Sequence, residues 1–223
     1  MHVVTRVKIC GLTRTEDADM AEALGADFLG VILAGGPRLL TLDRARAVLG
    51  PRRPRARRVA VFGDRSLESL IADGDALDLD VLQLHGDPSV ELVRRLRERS
   101  NRAVWPVLRV DGTTLPASAV ELADAAGALV LDAKVVGQLG GTGVSLDWDG
   151  LVDAVRALRV AVPAMQLVLA GGLRAANVGR AMALLEPDVV DVSSGVELAP
   201  GLKHPKAVEQ FVSAVMAARR SSK

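Results

Sequence analysis

The 223-residue chain has very few aromatic side chains: three phenylalanines, two tryptophans and no tyrosine, 2% of the whole. A protein that stacks nucleobases on a platform of rings needs more than that. Net charge is equally scarce. Twenty-eight Lys and Arg stand against 27 Asp and Glu, leaving +1, a balance that argues against a dedicated nucleic-acid or polyanion binder. The single cysteine, Cys10, excludes an internal disulfide framework and any cysteine-based zinc cluster. The three histidines, His2, His85 and His204, are scattered without HExxH-like spacing, so no metal site is expected. No apolar run approaches the roughly 20 residues of a membrane span. Lys8 also interrupts what would be the apolar segment of a signal peptide in MHVVTRVKIC. The expectation is a soluble, cytoplasmic protein with no membrane or nucleic-acid partner.

What the chain does have is apolar residues, 49% of the total, enough for a large core. Short β-branched runs alternate with amphipathic stretches from end to end. The strand candidates are residues 6–10, 27–33, 57–63, 80–86, 102–108, 127–133, 166–172 and 188–194. Between them lie helical patterns, several opened by a capping or first-turn residue: Thr15, Asp43, Ser66 and Pro88. Such alternation implies parallel strands joined by helical crossovers. Eight units make an α/β protein of the (β/α)8 TIM-barrel class, one domain over residues 1–223. A doubly wound open sheet is the runner-up, weakened because no GxGxxG follows the first strand. The one basic cluster, PRRPRARR at 51–58, reads as a solvated loop leading into the third strand. The longest stretch without periodicity, 133–148, holds Gly137, Gly140, Gly141 and Gly143. Its length suggests a functional loop.

In a barrel the chemistry sits at the C-terminal strand ends, and side chains alternate inward and outward. If Val7 and Ile9 face the helices, Lys8 and Cys10 face the interior. By the same period, Val130 and Asp132, Gln83 and His85, and Asp191 and Ser193 point inward. A buried lone ammonium is costly, so Lys8 needs a counter-charge, and Asp191 is the candidate. That pair serves structure as readily as catalysis. Cys10 and Asp132 both end strands, and a thiol and a carboxylate over one cavity suit removal and return of a proton. A lone cysteine is otherwise core filler, and an aspartate there is otherwise a turn or cap carboxylate. A thiol base at neutral pH benefits from a nearby cation such as Lys8. The small-residue loops AGGL at 170–173 and SSGVE at 193–197 end the last two strands, where barrels frequently hold a phosphate.

Taken together, KICGLT, the Pro37–Arg38 pair, LQLHGD, LVLDAK, GGTGVSLDW, LAGGL with Asn177, and DVSSGVE with PGLKHP resemble the phosphoribosylanthranilate isomerases of tryptophan biosynthesis, along essentially the whole chain. The resemblance implies an Amadori rearrangement that needs no cofactor. In it Asp132 acts as general acid and Cys10 as general base, Arg38 binds the anthranilate carboxylate, and Lys8, His85 and Asp191 line the pocket. Gly141, Gly171, Gly172, Ser193, Ser194 and Gly195 would hold the phosphate, with loop 137–143 closing over the substrate. The implied partner is a small phosphosugar, for a monomer or a homodimer. LAGGPR departs from the family's usual pattern by one residue fewer before the arginine. Alternatives are another phosphosugar isomerase barrel, against which Cys10 speaks because the histidine-pathway isomerase resembles a two-aspartate design, and a non-catalytic phosphosugar-binding barrel.

Overall fold

A computed structural model describes residues 4–133 and 146–221. Eight strands close into one barrel in sequence order: β1 (Arg6–Ile9), β2 (Phe28–Ile32), β3 (Arg57–Phe62), β4 (Val81–Leu84), β5 (Ala103–Val110), β6 (Ala128–Ala133), β7 (Gln166–Leu169) and β8 (Val189–Val192). Every neighbouring pair is parallel, and β8 returns to β1 with Lys8 opposite Asp191. The helices are α1 (Thr15–Ala23), α2 (Leu42–Leu49), α3 (Leu67–Ala76), α4 (Val90–Arg99), α5 (Ser118–Ala126), α6 (Trp148–Ala161), α7 (Val178–Leu185) and α8 (Pro205–Ser221). The fold is therefore the (β/α)8 barrel, not the open sheet. Among the described residues no helix is long and apolar enough to cross a membrane.

The period-two alternation of the strands separates two cores. Val7, Ile9, Leu129 and Leu131 join the layer between barrel and helices. Val59, Val81, Val107, Val130, Val168 and Val189 fill the barrel itself, together with Phe28 and Trp105. Those two rings meet edge to face, centroids 5.0 Å apart, so two of the chain's few aromatic residues pack the barrel floor. Strand ends are shorter than the apolar runs where the chain turns off into glycine loops. Residues 170–172 follow β7 as a loop with Gly171 and Gly172 both at positive φ, which only glycine adopts without strain.

Several helix starts follow side-chain capping. Ser66 Oγ accepts from Ser69 N, and Ser89 Oγ, one residue past the predicted Pro88, accepts from Leu92 N. Asp147 caps α6 through Gly150 N, and Trp148 is buried under it. Of the arginines of 51–58, Arg52, Arg55 and Arg57 are exposed as expected, while Arg53 and Arg58 are largely covered. Arg52 pairs with Asp78 and Asp80, Arg53 with Asp19, and Arg58 donates to the carbonyls of Leu77 and Gly50. They fasten the N-terminal end of the barrel, where bare strand-end carboxylates and carbonyls need donors. One element has no counterpart in the sequence expectations. After β8 a short 3-10 turn (Ser194–Val196) leads into an antiparallel hairpin, β9 (Glu197–Ala199) and β10 (Leu202–Lys203). Its Pro200–Gly201 turn carries Gly201 at positive φ.

Candidate active site

A cavity opens at the C-terminal end of the barrel, and Cys10, Arg38, His85, Asp132, Asp191 and Ser193 all reach its wall, as do Gly171, Gly172, Ser194 and Gly195. Cys10 lies one residue past β1, anchored by its N–H to the Val192 carbonyl at 2.8 Å. Asp132 is the penultimate residue of β6, and its Oδ1 accepts from Ala133 N at 2.9 Å. Lys8, predicted as a pocket residue, is not on the cavity wall. It lies wholly buried in the layer beneath Cys10, because it stands two residues earlier on the same inward face of β1. Its counter-charge is the one the alternation predicts: Nζ donates to Asp191 Oδ2 at 2.6 Å. Loop 137–143 and Gly141 lie outside the described residues.

The electrostatics follow from burial. Burial pushes the Asp132 carboxyl up from 3.8 to about 6, and the nearby Asp191 carboxylate adds to the rise. Burial pushes His85 down to about 4, helped by the cations of Arg109 and Lys8. His85 is thus neutral at pH 7. Its Nε2 stands 3.6 Å from Asp132 Oδ2, too far for a hydrogen bond. Among the described residues neither ring nitrogen has a partner, nor do Gln83 Oε1, Asp191 Oδ1 and Ser193 Oγ. Five buried polar atoms without partners around a cavity are unusual in a native fold unless a ligand uses them.

Cys10 feels Lys8 as expected, and feels burial more. Lys8 does favour the thiolate, but burial outweighs it and Asp191 opposes it, so the thiol is raised above its ordinary value. The resting group is therefore the neutral thiol. Lys8 itself keeps its proton: burial lowers it, and Asp191 and Cys10 more than offset that.

Room for this arrangement is made by glycines. A methyl on Gly30 of β2 would stand 3.1 Å from Cys10 Sγ and 3.1 Å from Lys8 Cε, and one on Gly195 would stand 1.9 Å from the Leu173 carbonyl oxygen. The first would force Cys10 or Lys8 to give by a few tenths of an ångström and the second cannot be accommodated, so Gly30 gives the thiol its room, and Gly195 lets the loops after β7 and β8 close on each other. Gly30 drew no notice in the sequence, where it reads only as a weak spot in a strand.

Arg38 reaches the cavity from the loop after β2, and its side chain is buried. Its guanidinium is held by Glu197 at the start of β9, which in turn binds Lys203 of β10. Sequence reasoning assigned no role to Glu197 or Lys203. The only available signal was charge inside an otherwise apolar segment. Among the described residues no group of three His, Cys, Asp or Glu side chains could hold a metal ion.

Comparison with known proteins agrees along the chain. The family described as N-(5'phosphoribosyl)anthranilate (PRA) isomerase matches residues 7–214. An N-(5'-phosphoribosyl)anthranilate isomerase of Acidithiobacillus ferrooxidans is 40% identical over 213 residues, covering 95% of this chain and 98% of that one. A phosphoribosyl anthranilate isomerase crystal structure from Thermus thermophilus superposes with a TM-score of 0.79 at 33% identity, over 96% of this chain and 99% of that one. Another crystal structure, of a phosphoribosyl anthranilate isomerase in complex with reduced 1-(o-carboxyphenylamino)-1-deoxyribulose 5-phosphate, gives 0.77 at 29%, with the same coverage.

Proposed function

The chain belongs to the N-(5'-phosphoribosyl)anthranilate isomerase family, and on that premise we propose that it converts N-(5-phosphoribosyl)anthranilate to 1-(2-carboxyphenylamino)-1-deoxyribulose 5-phosphate, in the cytoplasm, as a step of L-tryptophan synthesis. The observation that carries this is the convergence of Cys10 and Asp132 on one cavity at the catalytic end of the barrel. Asp132, held partly protonated near neutral pH, gives its proton to the ribose ring oxygen. The C1–O bond breaks and the substrate nitrogen becomes an iminium. Cys10, as thiolate, takes the proton from C2, and the electron pair forms an enolamine. That enolamine ketonises at C2 as it is protonated at C1. The substrate's own nitrogen is the electron sink throughout.

The other groups act by position. Arg38 suits a planar carboxylate because its donors form a fork. The backbones of Gly171, Gly172, Ser194 and Gly195, with the Ser193 hydroxyl, suit a phosphate, as does Gly141 in the family pattern. His85, neutral and without a partner among the described residues, offers one donor and one acceptor to the sugar, and Asp191 offers Oδ1, which has no partner among them either. The described residues of one chain supply the catalytic pair, Arg38 and the loops after β7 and β8, so the proposal holds for a monomer or a homodimer alike.

The test is the fluorescence decay of freshly made phosphoribosylanthranilate with wild type, Cys10→Ser and Asp132→Asn. Turnover by wild type, with each variant at least about 10²-fold slower, is the expected result for a lost acid or base. A folded wild type without turnover refutes the reaction. Full activity in Cys10→Ser refutes the role of the thiol and leaves the reaction standing.

A further inference from the structure

A guanidinium has two edges that can each grip a carboxylate, Nε with Nη2 and Nη1 with Nη2. In Arg38 the first edge is already taken. Nε lies 2.8 and 3.1 Å from the two carboxylate oxygens of Glu197, and Nη2 lies 2.5 Å from Oε2. Glu197 is itself saturated. Its Oε1 also accepts from Lys203 Nζ at 2.7 Å and from Gly201 N at 3.2 Å. Lys203 is fixed in turn, Nζ donating to the Ser193 carbonyl and its backbone N–H to Asp17 Oδ2. The clamp is dry, with side-chain exposures of 7% for Arg38, 4% for Glu197 and 0% for Lys203. Two cations against one anion leave a single positive charge at the cavity wall.

The stem of Arg38 is placed as strictly as its head. It crosses Gly11, the residue after Cys10, so closely that a methyl there would stand 2.5 Å from Arg38 Cδ and 2.8 Å from Ser193 Oγ. Gly11 and Gly201 both have positive φ, and Thr13 Oγ1 donates to the Gly201 carbonyl at 2.6 Å. The loop after β1 and the β9–β10 hairpin are thereby joined around the arginine.

We propose that Glu197 is a positioning residue for substrate recognition: it occupies one edge of Arg38 so that the other, Nη1 with Nη2, faces the substrate as a preformed receptor for one carboxylate. This rests on the isomerase function proposed above and adds the residue that sets its specificity for an acidic aryl group. A staple between two loops would have the same contacts, so the test must separate the two roles.

The experiment compares phosphoribosylanthranilate with N-(5-phosphoribosyl)aniline, which lacks the carboxylate, in wild type, Glu197→Gln, Glu197→Asp, Arg38→Met and the Arg38→Met/Glu197→Gln double variant. Glu197→Gln is expected to raise KM for the carboxylated substrate roughly tenfold or more with kcat within a few-fold. It should change KM for the aniline substrate less than about twofold, and do nothing further once Arg38 is gone. Glu197→Asp, which keeps the charge, should recover part of the loss. Equal losses on the two substrates, or losses that add to those of Arg38→Met, overturn the proposal and leave a structural staple. If Glu197→Gln does not fold, Glu197→Asp decides by calorimetry. It must weaken binding of reduced 1-(2-carboxyphenylamino)-1-deoxyribulose 5-phosphate more than binding of its carboxylate-free counterpart, and equal weakening overturns the proposal. A wild type that neither turns over phosphoribosylanthranilate nor binds the reduced ketose overturns the parent function, and the positioning role falls with it.

Discussion

Replacing Asp132 with asparagine should disable the chain and stabilise it. The folded protein holds this carboxyl's proton at about 6 where an exposed aspartate releases it at 3.8. Below about pH 3 the group is protonated folded or unfolded, and its environment costs nothing. As pH rises from about 3 to 6 the unfolded chain ionises while the folded chain resists, so stability is lost through that window. Above 6 the loss is complete. At 1.36 kcal/mol for each tenfold in acidity, a carboxyl moved from 3.8 to about 6 costs about 3 kcal/mol at pH 7. Asparagine has the same shape and can still accept from Ala133 N, the bond made by Oδ1, so little else is lost.

For a chain of this size about 3 kcal/mol is roughly 6–12 °C in Tm. Asp132→Asn should therefore melt above wild type at pH 7, with the advantage shrinking through pH 6 to 4 and vanishing below about pH 3. Calorimetric scans and urea titrations at pH 4 and 7 measure it. An advantage equal at both pH values, or none at pH 7, would refute the premise that the folded chain raises this carboxyl.

Two further outcomes follow from the same charges. The ratio of wild-type to Asp132→Asn kcat/KM reports the protonated fraction of Asp132, with the substrate's own titration cancelled. It should be flat below pH 6 and then fall about tenfold per pH unit, and a ratio flat from 6 to 8 excludes Asp132 as the acid. Lys8→Met should lower the unfolding free energy by about 3–5 kcal/mol, because Asp191 is left buried without its partner. A urea-measured loss below about 1 kcal/mol would mean that the pair is not what stabilises the barrel floor.

The barrel was legible because its signal is local and repeated. Eight apolar runs, each with alternating sides, can mean little else at this length, and the period alone brought Lys8 opposite Asp191 across 183 positions. The strand-end residues Cys10 and Asp132 were legible for the same reason. What escaped depends on contacts between loops. Glu197 and Arg38 are 159 positions apart, and β9 and β10, three and two residues long, are too short to show any period. The resting state of Cys10 escaped differently. Lys8 stands two residues away in the sequence, and its pull toward the thiolate is legible there. Depth decides against it, because the desolvation that both groups share is invisible in the order of residues.

That depth gives the pair its character. At pH 7 an Asp132 that titrates at about 6 is protonated in about a tenth of the molecules, and a raised Cys10 is thiolate in fewer still. In the proposed mechanism the working form, acid protonated and base ionised, is a minor one with the same total proton count as the resting form, in which Cys10 holds the proton and Asp132 does not. The two differ only in which group carries it. A cavity that shortened the distance to that form by exposing Cys10 to water would lower the thiol's pKa and weaken it as a base. The buried seat beside Gly30 keeps the thiolate scarce and strongly basic, which would suit the proposed abstraction of a carbon-bound proton made acidic by the neighbouring iminium. Lys8 supplies the compensation that keeps the thiolate within reach, and Asp191 holds Lys8 in place beneath it.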